Sequence, residues 1–215
     1  MNKKNKQEEQ LEAIKEMRNM MERSSRFLSL SGLAGVAVGI IALMGVFAFF
    51  LKVDISPWQP VHPDVLFATA PEGVISNLDF MLKDAMLILA CSLAVGIWMS
   101  ANRAKKNKHS LWDAPAKRLL INLMIPLVSG GILCFIFIDK GLSPYLASMT
   151  LVFYGLALVN ASKYSLDEIR NLGLMEIFCG LLAAWEPKYG VLIWGIGFGV
   201  LHIGYGLLIH SKQKQ

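Results

Sequence analysis

The sequence predicts an all-α polytopic membrane bundle of six transmembrane helices, arranged as three hairpins, with an amphipathic helix on the cytoplasmic side before them. Of its 215 residues, 54% are apolar and only 17% are charged, and the mean hydropathy is +0.48. Soluble domains are typically about 45–50% apolar and about 25% charged. The excess lies in runs of 15 to 24 residues that are nearly free of charge. Runs of this kind cross a bilayer, so a soluble enzyme, a disulfide scaffold and a disordered tail are excluded.

Six apolar windows predict the spans. They are continuous runs without the alternation of barrel strands, and in hydrocarbon the backbone must then pair within helices. We therefore expect a cytoplasmic amphipathic helix or tail at 1–27, a transmembrane domain at 28–209 with an exported loop at 52–79, and a cytoplasmic tail at 210–215. The windows are residues 28–51, 80–99, 119–138, 143–162, 171–185 and 189–209.

The distribution of lysine and arginine predicts the orientation. The tail 1–27, the loops 100–118 and 163–170, and the C-terminal tail hold 17 of these residues, whereas the three opposite connections hold Lys52, Lys140 and Lys188. Cytoplasmic loops of membrane proteins carry this excess of positive charge. Both termini are therefore expected in the cytoplasm. The net charge of +5 is explained by anionic lipid, and no nucleic-acid partner is expected.

The tail before the first window has a helical pattern. Leu11, Ile14, Met17 and Met21 form an apolar stripe among glutamates and lysines, with no glycine or proline between residues 7 and 26. One interpretation is a helix that lies on the inner membrane surface or continues the first span. The other is a docking helix for a cytoplasmic protein partner, or a short seam between copies in a homo-oligomer.

A faint internal repeat favours the three-hairpin arrangement. The fourth and sixth windows both leave the membrane through the order Tyr-Gly-Leu, then serine and lysine. Chance similarity between helices rich in glycine and leucine is the alternative interpretation. At the start of the fifth helix, Ser165 and Glu168 match a capping box.

Glycines on one face of a helix let membrane helices approach each other closely. Such faces occur in the first, fifth and sixth windows at helical spacing. The candidate helix-packing residues are Gly35, Gly39, Gly173, Gly180, Gly195, Gly199 and Gly206.

Two ionisable residues share these glycine faces. Glu176 lies between Gly173 and Gly180, and His202 lies between Gly199 and Gly206. Both fall in the cytoplasmic half of the membrane, where an ionisable group is costly and is a functional hypothesis by default. Together with Asn122 and Asn160 at similar depth, they are either a polar functional cluster or a structural clamp that joins helices.

Catalytic and cofactor signatures are absent from the sequence. It has no P-loop, dinucleotide fingerprint or nucleophile elbow, and its four histidines are dispersed. We therefore expect no catalytic residue, metal or cofactor, and we lean against an enzyme.

Four stretches of the chain resemble a known family. They cover residues 21–32 (MERSSRFLSLSG), 118–131 (RLLINLMIPLVSGG), 153–164 (FYGLALVNASKY) and 194–203 (WGIGFGVLHI). They look like an uncharacterised family of six-helix integral membrane proteins of Bacteroidetes-type bacteria, and the Gly-rich hairpins are more weakly similar to acid-resistance six-helix membrane proteins. The resemblance implies a bacterial inner-membrane protein and carries over no activity.

Two functional hypotheses follow from these patterns. The first is a non-enzymatic inner-membrane protein of stress-response or regulatory type, which could dock a cytoplasmic partner. The alternative is a small-solute or proton-coupled transporter that uses Glu176, His202 and Asn160. A third, an intramembrane enzyme, has the least support because no nucleophile–base pair is recognisable.

Overall fold

A computed structural model describes residues 31–62, 65–66, 76–106 and 114–212, and this part of the chain contains helices and turns but no strand. The all-α prediction is therefore confirmed for these residues. The amphipathic helix predicted within 1–27 lies outside the described residues, as do parts of the exported loop and of the basic loop. The main helices are α1 Gly32–Val53, α2 Asn77–Lys106, α3 Ala114–Asp139, α4 Leu146–Ala161, α5 Asp167–Trp185 and α6 Pro187–Lys212.

The sixth helix changes its hydrogen-bonding pattern along its length. It opens with a 3₁₀ turn at Pro187–Tyr189 and an α-helical turn at Gly190–Trp194. A π-helical segment follows at Gly195–Leu201, and α-helix resumes at His202–Lys212. π-Helical turns are rare and often occur at functional sites.

Five of these helices are long and apolar enough to cross a membrane: α1, α2, α3, α6 and α4 with its flanking 3₁₀ turns, Ser143–Tyr164. The exception is α5, which has 19 residues and carries Asp167, Glu168 and Arg170 in its first turn. Its apolar part, residues 171–185, spans about 22 Å at 1.5 Å per residue, less than the hydrocarbon thickness of about 30 Å. A sixth span is therefore not established by length and composition.

The capping box predicted at the start of α5 is wrong. The residue at the N-cap is Leu166, which makes no side-chain capping bond, and the buried hydroxyl of Ser165 has no partner among the described residues. Glu168 instead accepts a hydrogen bond from Lys212 at the end of α6. The ion pair between two helix ends competes with the local capping interaction for the same carboxylate.

Glycines bring α1 and α6 into backbone contact. A Cβ atom added at Gly39 would lie 2.6 Å from the carbonyl oxygen of Gly199, and one added at Gly35 would lie 3.2 Å from the Cα atom of Gly206. No side chain fits into such a space. Helices that touch in this way gain dispersion contacts over their whole length, which drives association inside a membrane.

Glycines also bring α4 and α5 into backbone contact. A Cβ atom at Gly173 would lie 2.7 Å from the carbonyl oxygen of Gly155, and one at Gly180 would lie 2.9 Å from the backbone nitrogen of Val152. The two helices of each predicted hairpin also contact each other. The closest backbone approaches, however, are between α1 and α6 and between α4 and α5. By contrast, α2 and α3 carry many exposed large apolar side chains, such as Ile97 and Phe135, and form the outside of the bundle.

Part of the long loop after α1 covers one end of the bundle. Phe49 and Phe50 at the end of α1 form a buried apolar cluster with Val61 and Leu66. The backbone N–H of Val61 donates to the carbonyl of Lys188, 2.8 Å away. This loop therefore packs over the start of α6 and covers the helices below it.

The glycine contacts predict opposite effects for two glycines of one helix. A Cβ atom at Gly206 would lie 2.7 Å from the backbone oxygen of Gly32 and from the backbone nitrogen of Val36, whereas one at Gly204 would meet nothing within 4 Å. Gly206→Ala should therefore lower the free energy of unfolding by about 1–3 kcal/mol, the usual cost of overpacking. The matched control Gly204→Ala should be neutral or slightly stabilising, because alanine is the better helix former. Unfolding in mixed micelles measures both, and equal effects of the two variants would contradict the packing described.

Candidate proton-binding site

Glu176, in the middle of α5, is a glutamate with no exposed surface. It shares its helix face with Gly173 and Gly180, which pack against α4, so this face is turned into the bundle. Its Oε2 atom lies beside Gly197 in the π-helical segment of α6. Burying an ionised carboxylate inside a membrane bundle is costly unless it is paired or protonated.

His202 begins the last α-helical part of α6, and only 5% of its surface is exposed. Its Nδ1 atom lies 3.2 Å from Oε1 of Glu176 and 3.1 Å from the carbonyl oxygen of Gly197. Its Nε2 atom lies 2.9 Å from the hydroxyl of Tyr154 on α4. The imidazole thus joins three helices through both ring nitrogens.

The Nδ1 and Oε1 atoms lie within ion-pair distance of each other, but their contact is not an aligned hydrogen bond. The Nδ1 atom satisfies hydrogen-bond geometry with the Gly197 carbonyl, whereas neither oxygen of Glu176 receives an aligned hydrogen bond from the described residues. An imidazole has two nitrogens and cannot satisfy every neighbour at once. The carboxylate therefore depends on the charge of the imidazole, or on a proton of its own, for its stability.

One proton makes this pair electrically neutral. The proton can reside on His202, which gives a carboxylate beside an imidazolium, or on Glu176, which gives two uncharged groups. Adding a second proton, or removing the first, leaves a net charge inside the bundle, and that is the costly condition. The pair is therefore most stable inside the bundle when it holds a single proton.

Few other ionisable groups face the pair. Tyr154 on α4 and Cys179 on α5 are close enough for the charge of Glu176 to act on them. The face of α1 that contacts the π-helical segment contributes Leu43 and Val46. The ionisable residue of α1 is Lys52, near its exported end.

An aromatic column holds the imidazole in place. The ring of Phe198 stacks on His202, with centroids 5.7 Å apart and an interplanar angle of 17°, and also contacts Tyr154 and Trp194. The indole N–H of Trp194 donates to Thr150 on α4, 3.1 Å away. This hydrogen bond joins α6 to α4. The column therefore fixes α6 against α4 next to the pair.

The structure divides the four predicted polar residues into two pairs. Glu176 and His202 lie together, and the amide of Asn160 donates to the backbone carbonyl of Asn122, 2.9 Å away. Asn122 in turn donates to the backbone carbonyl of Arg118. Within the described part of the chain, no hydrogen bond links the asparagines to Glu176 or His202. The asparagine pair joins α3 to α4, which is the role of a structural clamp.

No group of three metal-ligating side chains occurs in the residues described. A cavity of about 20 Å³ lies between Val61, Met81, Ser143 and Val191. That is room for about one water molecule. Neither Glu176 nor His202 lines this cavity.

Two residues of this site were not predicted from the sequence. Tyr154 was noted only as part of a repeat, although a tyrosine far from both membrane surfaces is itself a signal of a buried partner. Gly197 was one glycine among many, and its position in a π-helical turn cannot be read from a 3.6-residue period. No protein-family model, curated protein or solved structure matches the chain.

Removing the hydroxyl of Tyr154 tests the contact at Nε2. Tyr154→Phe keeps the ring contact with Phe198, and the lost hydrogen bond should cost only about 1 kcal/mol, so the fold should persist. We expect the Nε2 signal of His202 to move in the ¹⁵N spectrum of histidine-labelled protein. The signals of His62 and His210, which lie at opposite ends of the molecule, are the internal controls. A His202 signal that stays in place would contradict the geometry at this nitrogen.

Proposed function

We propose that this chain is a non-enzymatic regulatory protein of the bacterial inner membrane, of stress-response type, whose state is set by one proton held between Glu176 and His202. In this proposal the protein spans the membrane six times, with both termini in the cytoplasm. The observation that carries the proposal is the fully buried carboxylate of Glu176, 3.2 Å from Nδ1 of His202.

The proposed topology has three kinds of support. Six helices follow one another, with short connections after the long loop between α1 and α2, and five are long and apolar enough to cross the membrane. The sixth, α5, packs closely on α4 through glycines, so a short apolar part is compatible with a position inside the bundle. The positive charge of the sequence on one side and its resemblance to six-helix inner-membrane proteins support the orientation and the location.

The environment of the pair supports proton binding over metal binding. One carboxylate and one imidazole supply too few ligands for Zn²⁺, which takes four, or for Ca²⁺, which takes six to eight. A proton needs no cavity, and an imidazole titrates near neutral pH unless its surroundings change that. The close packing around the pair therefore favours the smallest cation.

The same packing favours a regulator over a carrier. A solute site needs a cavity, and the cavity of about 20 Å³ at the exported end is far below the usual size of about 300–1,000 Å³. A proton-coupled transporter remains the second candidate, because buried glutamates and histidines also form proton relays in transporters. The unpartnered oxygens of Glu176 are the observation that favours it.

Reconstituted protein distinguishes the two candidates. Sealed vesicles with a pH gradient should show no flux of protons or solute above that of empty vesicles. Trypsin cleavage of the cytoplasmic segments 1–27 and 100–118 should depend on pH in the wild type and become independent of pH in Glu176→Gln, which cannot ionise. Protease activity at each pH is calibrated with an unrelated substrate.

Glu168→Gln is the matched control, since Glu168 lies on the same helix. Its hydrogen bond to Lys212 holds the pKa of Glu168 below the usual value, so this residue is already ionised at neutral pH. Glu168→Gln should therefore retain the pH dependence of the wild type.

Flux that disappears in Glu176→Gln would contradict the regulator and support the carrier. A cleavage pattern that does not change with pH in the wild type would contradict the proposal that a proton sets the state of a regulatory protein. Failure of both Glu176→Gln and His202→Ala to fold would show a structural clamp.

A further inference from the structure

Gly197 is the residue where the two members of the pair meet. Oε2 of Glu176 lies beside its Cα atom, at 2.6 Å from the place that a Cβ would occupy. Nδ1 of His202 lies 3.1 Å from its carbonyl oxygen. The carboxylate and the imidazole thus contact the same residue, one at its Cα atom and the other at its backbone oxygen.

The imidazole bonds to a carbonyl of the π-helical segment of its own helix. His202 is five residues after Gly197 and directly follows the segment Gly195–Leu201. The ring nitrogen Nδ1 makes the bond to Gly197, whereas the backbone N–H of His202 donates to the carbonyl of Gly199. The ring of Phe198, in the same segment, stacks on the imidazole.

The space beside Glu176 also depends on the absence of a side chain at residue 197. A Cβ there would lie 2.5 Å from Cδ2 of Leu151 and 2.6 Å from Oε2 of Glu176. Gly195, in the same segment, is different, because its nearest neighbour is the side chain of Val46 on α1, at 3.2 Å. Only the first of these glycines makes space for the carboxylate.

We propose that Gly197 is a positioning residue of the proton-binding site, and that the π-helical segment serves to place its carbonyl against His202 and its bare Cα against Glu176. This inference rests on the proposed function, since it concerns how that site holds its proton. When the proton moves between the carboxylate and the imidazole, the hydrogen bond at the Gly197 carbonyl changes with it. The other ionisable groups that face the pair are Tyr154 on α4 and Cys179 on α5, while α1 presents Leu43 and Val46.

The sequence permits a test on the unmodified protein. Gly197–Phe198 is the only Gly–Phe peptide of the chain, and Gly204–Tyr205 is the only Gly–Tyr peptide. Protein labelled with carbonyl-¹³C glycine and either ¹⁵N phenylalanine or ¹⁵N tyrosine therefore gives one resolved carbonyl signal in each case. We expect the Gly197 carbonyl signal to move with the same pH midpoint as the ring nitrogens of His202. The Gly204 carbonyl, on the same helix but away from the pair, should not move.

Substitutions test the space at the Cα atom. Gly197→Ala should displace the carboxylate and shift the midpoint by about one pH unit or more, a tenfold change in proton affinity. Gly195→Ala, the matched control, should leave the midpoint within a few tenths of a unit. Glu176→Asp withdraws the carboxylate by one methylene, so in combination with Gly197→Ala it should shift the midpoint less than the sum of the two single effects.

Each outcome separates the inference from the proposed function. If neither the ring nitrogens of His202 nor the carboxyl group of Glu176 titrates in the wild type, the proposed function fails. If either group titrates while the Gly197 carbonyl does not follow it, the function stands and the role of Gly197 is overturned. Equal midpoints in the two alanine variants, or additive effects in the double variant, also overturn it. Should Gly197→Ala not fold, the carbonyl titration of the wild type decides alone.

Discussion

A buried carboxylate is the constraint on which the rest of this structure depends. Glu176 has no exposed surface, and its Oε1 atom lies 3.2 Å from Nδ1 of His202. The cost of an unpaired charge in a membrane bundle forces three helices to keep their positions around this pair. Tyr154 from α4 and Gly197 from α6 complete that arrangement. A shift of any of these helices would expose or isolate the charge.

Close helix packing makes the constraint possible. Glycines let α1 touch α6 and let α4 touch α5, so four helices form a dense interior without large side chains between them. Beside Glu176, a Cβ atom at Gly197 would lie only 2.6 Å from Oε2. Density and burial therefore have one origin, and they favour an occupant that needs no volume. This is the physical argument for the proton and for the regulatory role that we propose.

The sequence predicted the helices better than it predicted the site. Six apolar windows correspond to six helices, because long apolar runs carry a strong signal. Glu176 and His202 were predicted to share a contact because both lie on glycine faces, and the structure places them together. Asn122 and Asn160 were grouped with them on depth alone, and depth does not fix the direction of a side chain. Gly197 could not be predicted, since a π-helical turn changes the register that periodicity assumes. The capping box failed because α5 begins one residue later than the pattern requires, with Leu166 instead of Ser165 at the N-cap.

The most direct measurement follows the protonation state of Glu176 as the pH changes. Infrared difference spectra of reconstituted protein, recorded between acidic and alkaline pH, separate the band of a protonated carboxyl group in the membrane from those of exposed carboxylates. We expect one titrating band, which disappears in Glu176→Gln and persists in Glu168→Gln. In His202→Gln, which lacks the imidazole, the pH midpoint of this band should change. A spectrum without such a band, or a band unaffected by Glu176→Gln, would contradict the claim that this pair holds a titratable proton.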